Sequence, residues 1–263
     1  MGYIAKNEIH TTYKQRLSNA LQTILPPLAM VEGDSTVLLR GGTHVPWSPS
    51  MTYIERVYLP MLERMGIDAG VELRAWGWYP RGNGEAELRV RGRSSRPRGL
   101  QLLERGAFRG VRGLSIVTEL PESIARRMAG RAMDVLRESG IDAKVRSDKA
   151  SSIGPGAAIF LGAEYGESVA GFSALGKLGL PAERVAEIAC EDFLSFHATD
   201  APIDRHLADQ ILLPLALASG SSRYRVETIT SHLTTNARVI ESFEIATVAI
   251  EPGDRIVTVT PAR

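Results

Sequence analysis

Apolar residues recur at three- and four-residue spacing through residues 49–65, at Ile54, Val57, Tyr58, Met61 and Leu62, which predicts an amphipathic helix with one buried face. A helix is also expected over 14–30, and between the two the stretch 36–40 reads as a short strand ended by Gly41-Gly42-Thr43. Extended segments follow at 71–76 and 86–90, joined by the turn-rich Gly77-Trp-Tyr-Pro-Arg-Gly-Asn-Gly84. The same order, helix, strand, helix, strand, strand, returns at the C-terminus over 203–218, 224–228, 234–243, 245–250 and 255–260, the last two flanking the turn Glu251-Pro-Gly-Asp254.

The two stretches are an internal repeat. Gln22-Thr-Ile-Leu-Pro26 lies on Gln210-Ile-Leu-Leu-Pro214, an offset of 188, and the same offset carried on without a gap sets Gly42-Thr43-His44 on Thr230-Ser231-His232. Pro26 and Pro214 each delete a helical donor and are expected to kink their helices at matched points. The rhythm between the repeats differs: a strand at 114–117, a helix at 121–138 opened by Pro121, extended pieces at 143–146, 157–161 and 168–172, and a helix from Pro181 to about Phe196. Residues 147–156 read as a mobile loop. The pattern predicts a mixed α/β (α+β) chain, with residues 1–104 and 200–263 forming a large repeat domain (repeats at about 14–91 and 200–263) around an inserted small α/β domain at 105–199.

Composition narrows the chemistry. A net charge of +1 on 263 residues supplies no overall field for nucleic acid or anionic lipid, so a polyanion would have to meet a local patch. Arg89, Arg91, Arg93, Arg96 and Arg98 are one candidate, and a solvated Pro-containing loop is the other reading of them. The single cysteine, Cys190, sits on the apolar side of a helix pattern and reads as a buried thiol; it rules out an internal disulfide and a cysteine-built metal site. No signal-like N-terminus and no run of about eighteen apolar residues occurs, so a cytoplasmic protein away from membranes is expected.

Five histidines remain as reactive groups: His10, His44, His197, His206 and His232. His206 opens His206-Leu-Ala-Asp-Gln210 at a helix start, and His232 follows the strand that returns after that helix, so Asp209 and Gln210 are expected near His232. A helix N-terminus beginning beside His232 offers unpaired N–H groups to a phosphate, and a neutral imidazole there could attack phosphorus. The plainer alternative is that His232 merely caps that helix. His44 reads as a polar surface residue. A metal hydrolase built on His44, His206, His232 and Asp204 or Asp209 is a third reading, without any recognised ligand spacing, and no metal ligand is assigned.

From Gln22 onward the chain resembles the RNA 3′-terminal phosphate cyclases, through Leu21-Gln-Thr-Ile-Leu-Pro26, Arg40-Gly-Gly-Thr43, Gly77-Trp-Tyr-Pro-Arg-Gly-Asn-Gly-Glu85, His206-Leu-Ala-Asp-Gln-Ile-Leu-Leu-Pro214 and Ser231-His232-Leu233. The resemblance implies repeated βαβαββ units with an inserted small domain. It also implies an ATP-dependent enzyme, assisted by Mg2+ or Mn2+, that closes an RNA 3′-phosphate to a 2′,3′-cyclic phosphodiester through a covalent histidine-AMP at His232. Gln22 and the segment His206, Leu207, Ala208, Asp209 and Gln210 would contact the nucleotide. Nothing in the chain matches the Gly-rich motif of the family's first unit, and residues 1–18 match no part of its pattern, so the N-terminal repeat is expected to be lacking. A sheet edge left open there would favour a homodimer. The competing function is a non-catalytic or truncated cyclase-like protein that binds RNA or a protein partner.

Overall fold

A computed structural model describes residues 5–10, 16–93 and 95–262. The first unit runs β1 (Ala5–His10), α1 (Leu17–Ala29), β2 (Gly33–Gly41), a helix in three parts, then β3 (Asp68–Ala75) and β4 (Gly84–Gly92). The helix consists of α2 (Met51–Tyr53), a π-helical turn (Ile54–Tyr58) and α3 (Leu59–Arg64). Its widening precedes Pro60, which has no N–H to give the Arg56 carbonyl. Ile54, Val57, Tyr58, Met61 and Leu62 are all buried, as their spacing predicts. The sheet order is β1-β2-β4-β3, with β1 parallel and β4 antiparallel to β2.

After β5 (Gln101–Leu102) the chain builds a second sheet from β6 (Phe108–Thr118), β7 (Ala143–Ala150), β8 (Gly156–Tyr165) and β9 (Val169–Leu175), with helices α4 (Glu122–Glu138) and α5 (Ala182–His197). The second unit then resumes with α6 (Leu207–Gln210), α7 (Leu212–Ala216), β10 (Ser222–Arg225), α8 (Ser231–Ser242), β11 (Ala246–Glu251) and β12 (Ile256–Pro261). Its sheet order, β11-β12-β10-β5, has β5 parallel to β10 and β12 antiparallel to it. This is the arrangement of the first sheet with β5 in the place of β1, so both units are βαβαββ and the second is interrupted after its first strand. Both leading strands escape the periodicity argument: β5 has two residues, and β1 is the mostly polar Ala-Lys-Asn-Glu-Ile-His.

Helices and sheets of both units share one apolar core, in which Leu21 and Leu25 of α1 join Leu212, Leu215, Val257 and Val259. The middle sheet has its own core against α4 and α5, where Cys190 is fully buried and its thiol is pushed up to about 12 by that burial. The other face of this sheet lies on the first unit. Leu114, Ile116 and Ala158 pack with Trp76 and Trp78, Gly156 lets the Trp78 ring lie against the backbone, and a Cβ at Gly171 would come within 2.6 Å of Val57.

Four expectations need correction. The 203–218 helix is broken after Gln210, whose carbonyl is the one left without a donor by Pro214; α1 carries Pro26 and Pro27 yet stays helical to Ala29. Residues 147–150 belong to β7, so only 151–155 connect the strands. Arg89 and Arg91 lie in β4 rather than in a loop. His44 is buried, 3 % exposed: its ring nitrogens lie 3.0 Å from the Thr43 and Thr52 hydroxyls, and Trp76 and Trp78 flank the ring with centroids 4.4 and 5.4 Å away.

Burial holds the His44 imidazole neutral, with its pKa lowered to about 3. The unfolded chain takes up this proton below about 6.5, whereas the folded chain refuses it, so the contribution is complete above that pH and is lost on acidification toward 3. Chemical denaturation should show His44 costing about 2 kcal/mol of stability between pH 7 and pH 5. His44→Asn should flatten that part of the profile, and an unchanged slope would contradict the assignment.

Candidate active site

Asp204 organises the ground around His206. It has no exposed surface, and its Oδ1 accepts the backbone N–H groups of His206 and Leu207, each at 2.9 Å, which caps α6. The Tyr53 hydroxyl from the first unit donates to the same carboxylate, 2.9 and 3.0 Å from its two oxygens. The Gly171 N–H of the middle sheet approaches Oδ2 at 3.5 Å. Burial, followed by the Asp204 charge, raises the Tyr53 hydroxyl well above its ordinary range and keeps it a donor. The Arg205 N–H gives a 3.0 Å bond to Glu227, whose carboxyl is raised by burial, and its guanidinium reaches Asp192 of α5 at 3.0 Å.

The capped segment places its side chains unequally. His206 is exposed and Asp209 and Gln210 are half-buried, whereas Leu207 and Ala208 are sealed in the core and the Ala208 carbonyl accepts from the Tyr224 hydroxyl at 3.0 Å. The side chains of Leu207 and Ala208 therefore have no surface to offer a ligand. Gln22 Nε2 donates to Gln210 Oε1 at 2.6 Å, so the two glutamines matched by the repeat meet across the interface between the units. Asn236 Nδ2 donates to Asp209 Oδ2 at 3.1 Å.

His232 is the second residue of α8 and is exposed. It is not the cap: Thr230 is, its hydroxyl accepting the Leu233 N–H at 3.1 Å and its carbonyl the Thr234 N–H at 3.1 Å. The N–H groups of Ser231 and His232 have no partner among the described residues, and neither has the His232 ring. The nearby carboxyl is that of Asp209, raised by burial and drawn back down by His232 and, more weakly, by His206. His232 and Asn236, one helical turn apart, thus both act on Asp209.

The cap also corrects the repeat alignment. Ser50 accepts the Tyr53 N–H as Thr230 accepts the Leu233 N–H, so Ser50-Met51-Thr52-Tyr53 corresponds to Thr230-Ser231-His232-Leu233. The counterpart of His232 is Thr52, not His44, because residues 42–50 connect β2 to α2 whereas the shorter stretch 226–230 connects β10 to α8. Among the described residues no group of three or more His, Cys, Asp and Glu could hold a metal, and His44, buried against threonines, cannot join His206 and His232 as the metal-hydrolase reading required. Asn236, Tyr53 and Tyr224 were not singled out from the sequence. Asn236 alone had a readable signal, its four-residue spacing from His232.

Two substitutions test this geometry. Tyr53→Phe leaves the buried Asp204 carboxylate short of a donor and should lower stability by about 1–3 kcal/mol in denaturant titrations; a neutral effect would deny Asp204 its joining role. His232→Ala removes the group that draws the Asp209 carboxyl down, so an NMR titration should find that carboxyl moved up. No movement would separate the two residues.

Comparisons with known proteins agree with this architecture. The family model described as RNA 3′-terminal phosphate cyclase matches residues 8–250, so the match begins well ahead of Gln22 and includes part of the stretch that the motifs could not place. A protein of Trichormus variabilis named RNA 3′-terminal phosphate cyclase is 55 % identical over 239 residues, covering 91 % of this chain and 68 % of the relative. One of Methylococcus capsulatus with the same name is 48 % identical, covering 88 % and 64 %. One of Methanothermobacter thermautotrophicus, also so named, is 38 % identical, covering 82 % and 63 %. No helix among the described residues is long and apolar enough to cross a membrane. With its paired βαβαββ sheets and a match over most of its length, the chain belongs to the RNA 3′-terminal phosphate cyclase family.

Proposed function

We propose that the chain is an ATP-dependent RNA 3′-phosphate cyclase that works through adenylylated His232. The observation that carries this reading is an exposed histidine with no competing hydrogen bond, at the N-terminus of a twelve-residue helix whose first N–H groups are unpaired. Such a terminus favours an anion, and the residues fit a nucleotide: the Gln22–Gln210 pair and His206 supply polar and aromatic contacts beside it.

In this reading ATP is a substrate and Mg2+ or Mn2+ enters on its phosphates. His232 forms an N–P bond to the α-phosphorus while the P–O bond to pyrophosphate breaks. The positive charge that develops on the ring faces Asp209, and Asn236 holds that carboxylate in place. AMP passes to the RNA 3′-phosphate, and the neighbouring 2′-hydroxyl then displaces AMP to close the 2′,3′-cyclic phosphodiester. Because Leu207 and Ala208 are buried, their part is to fix the backbone that carries His206, Asp209 and Gln210.

Incubation with α-labelled ATP and a divalent cation should leave acid-labile, alkali-stable label on the chain. His232→Ala should remove it, and Asn236→Ala should slow its appearance about tenfold, on the order of 1.4 kcal/mol. Equal labelling of wild type and His232→Ala would overturn the mechanism. RNA binding without any label would instead support a non-catalytic cyclase-like protein.

A further inference from the structure

The arginine-rich stretch that stands out in the sequence is neutralised in its first half in the folded chain. Arg89 is paired with Glu72 and Glu87, Arg91 with Asp68, and Arg96 and Arg98 donate to the Leu217 and Arg64 carbonyls. A second cluster of positive charge lies where the middle sheet meets the π-helical turn of the first unit. An open groove of about 630 Å3 there is lined by Arg56, Arg112, Lys144 and Arg146.

The register explains the convergence. On β7, Val145 turns toward the core while Lys144 and Arg146 share the exposed side, two residues or about 7 Å apart. Arg112 of β6 is the register partner of Lys144, and Leu114 and Ile116, farther along the same face, pack on Trp78. Arg56, exposed on the π-helical turn, closes the groove from the first unit. The acidic neighbours are loosely held: Glu164 lies 3.7 Å from Arg112, and Asp148 lies 4.0 Å from Arg146. Among the described residues Arg56 and Lys144 have no ion-pair partner at all. Four cations spread over three elements suit a string of phosphates better than a single ion, and the groove has no aromatic lining on which a base could stack.

We propose that this groove holds the phosphate backbone of a single RNA strand upstream of the 3′ end presented to His232. The inference rests on the RNA-end reading above. The groove reads charge alone, so it should bind without sequence preference and in competition with salt. The bland role of lysine and arginine on β7 is to keep an edge strand from pairing with another chain, and that role predicts no effect on RNA.

The test is fluorescence anisotropy with a labelled 3′-phosphorylated oligoribonucleotide, and with a dinucleotide ending in the same phosphate, across a range of salt. The Lys144→Glu/Arg146→Glu double variant should weaken the oligonucleotide about tenfold near 0.1 M salt, and lower the slope of log affinity against log salt by about 1.4, from ~0.7 per phosphate contact. The dinucleotide, which has a single internucleotide phosphate and so no string of phosphates to lay along the groove, should bind as before. Lys144→Gln/Arg146→Gln, which adds no repulsion, should show the same loss of slope with a smaller loss of affinity. Both residues are exposed, and an unchanged circular-dichroism melt verifies the fold. Wild type that binds the oligonucleotide while both variants keep its slope overturns this inference alone. Equal weakening of oligonucleotide and dinucleotide also overturns it. Wild type that binds neither RNA overturns the inference together with the RNA-end reading.

Discussion

The arrangement of this protein depends on one buried carboxylate. Asp204 receives donors from the first unit, through Tyr53, from the middle sheet, through Gly171, and from the start of its own helix, through His206 and Leu207. A carboxylate without exposed surface is tolerable only if its lone pairs are filled. The three bodies must therefore close on it together, and their closure fixes where the His206–Gln210 segment points. The second junction follows from the first, because with α6 capped Gln210 reaches Gln22 and Asp209 reaches Asn236. Elements far apart in sequence thus set the surface around His206 and His232 that none of them could define alone.

The repeat shows how one unit is turned to two purposes. In both copies a capping hydroxyl starts a helix after the second strand, Ser50 in one and Thr230 in the other. In the first copy the intervening loop folds His44 back between Trp76, Trp78 and Thr52, and the following helix start is buried under the middle sheet. In the second copy the helix start is left open, and the residue at the position of Thr52 is an exposed histidine. Burial drives one imidazole toward inert neutrality, while exposure beside unpaired N–H groups leaves the other free to meet a phosphate. The prolines diverge similarly. Pro26 comes nine residues into α1, after the helix is established, whereas Pro214 follows α6 by so little that freeing the Gln210 carbonyl ends it.

The residues themselves determined the helix-strand order of both units, the buried face of the 51–64 helix, the shielded Cys190, and the pairing of Gln22 with Gln210 as repeat mates. Spacing, turn chemistry and self-similarity are local properties, and local properties survive in a one-dimensional string. Tertiary structure decided what depends on distance: that β1 and the two-residue β5 complete their sheets, that Arg89 and Arg91 are neutralised while Arg56, Arg112, Lys144 and Arg146 converge, that His44 is sealed, and that Thr52 rather than His44 answers to His232. Desolvation and charge pairing depend on which groups are brought within a few ångströms, and for residues a hundred or more positions apart only the folded chain sets that distance.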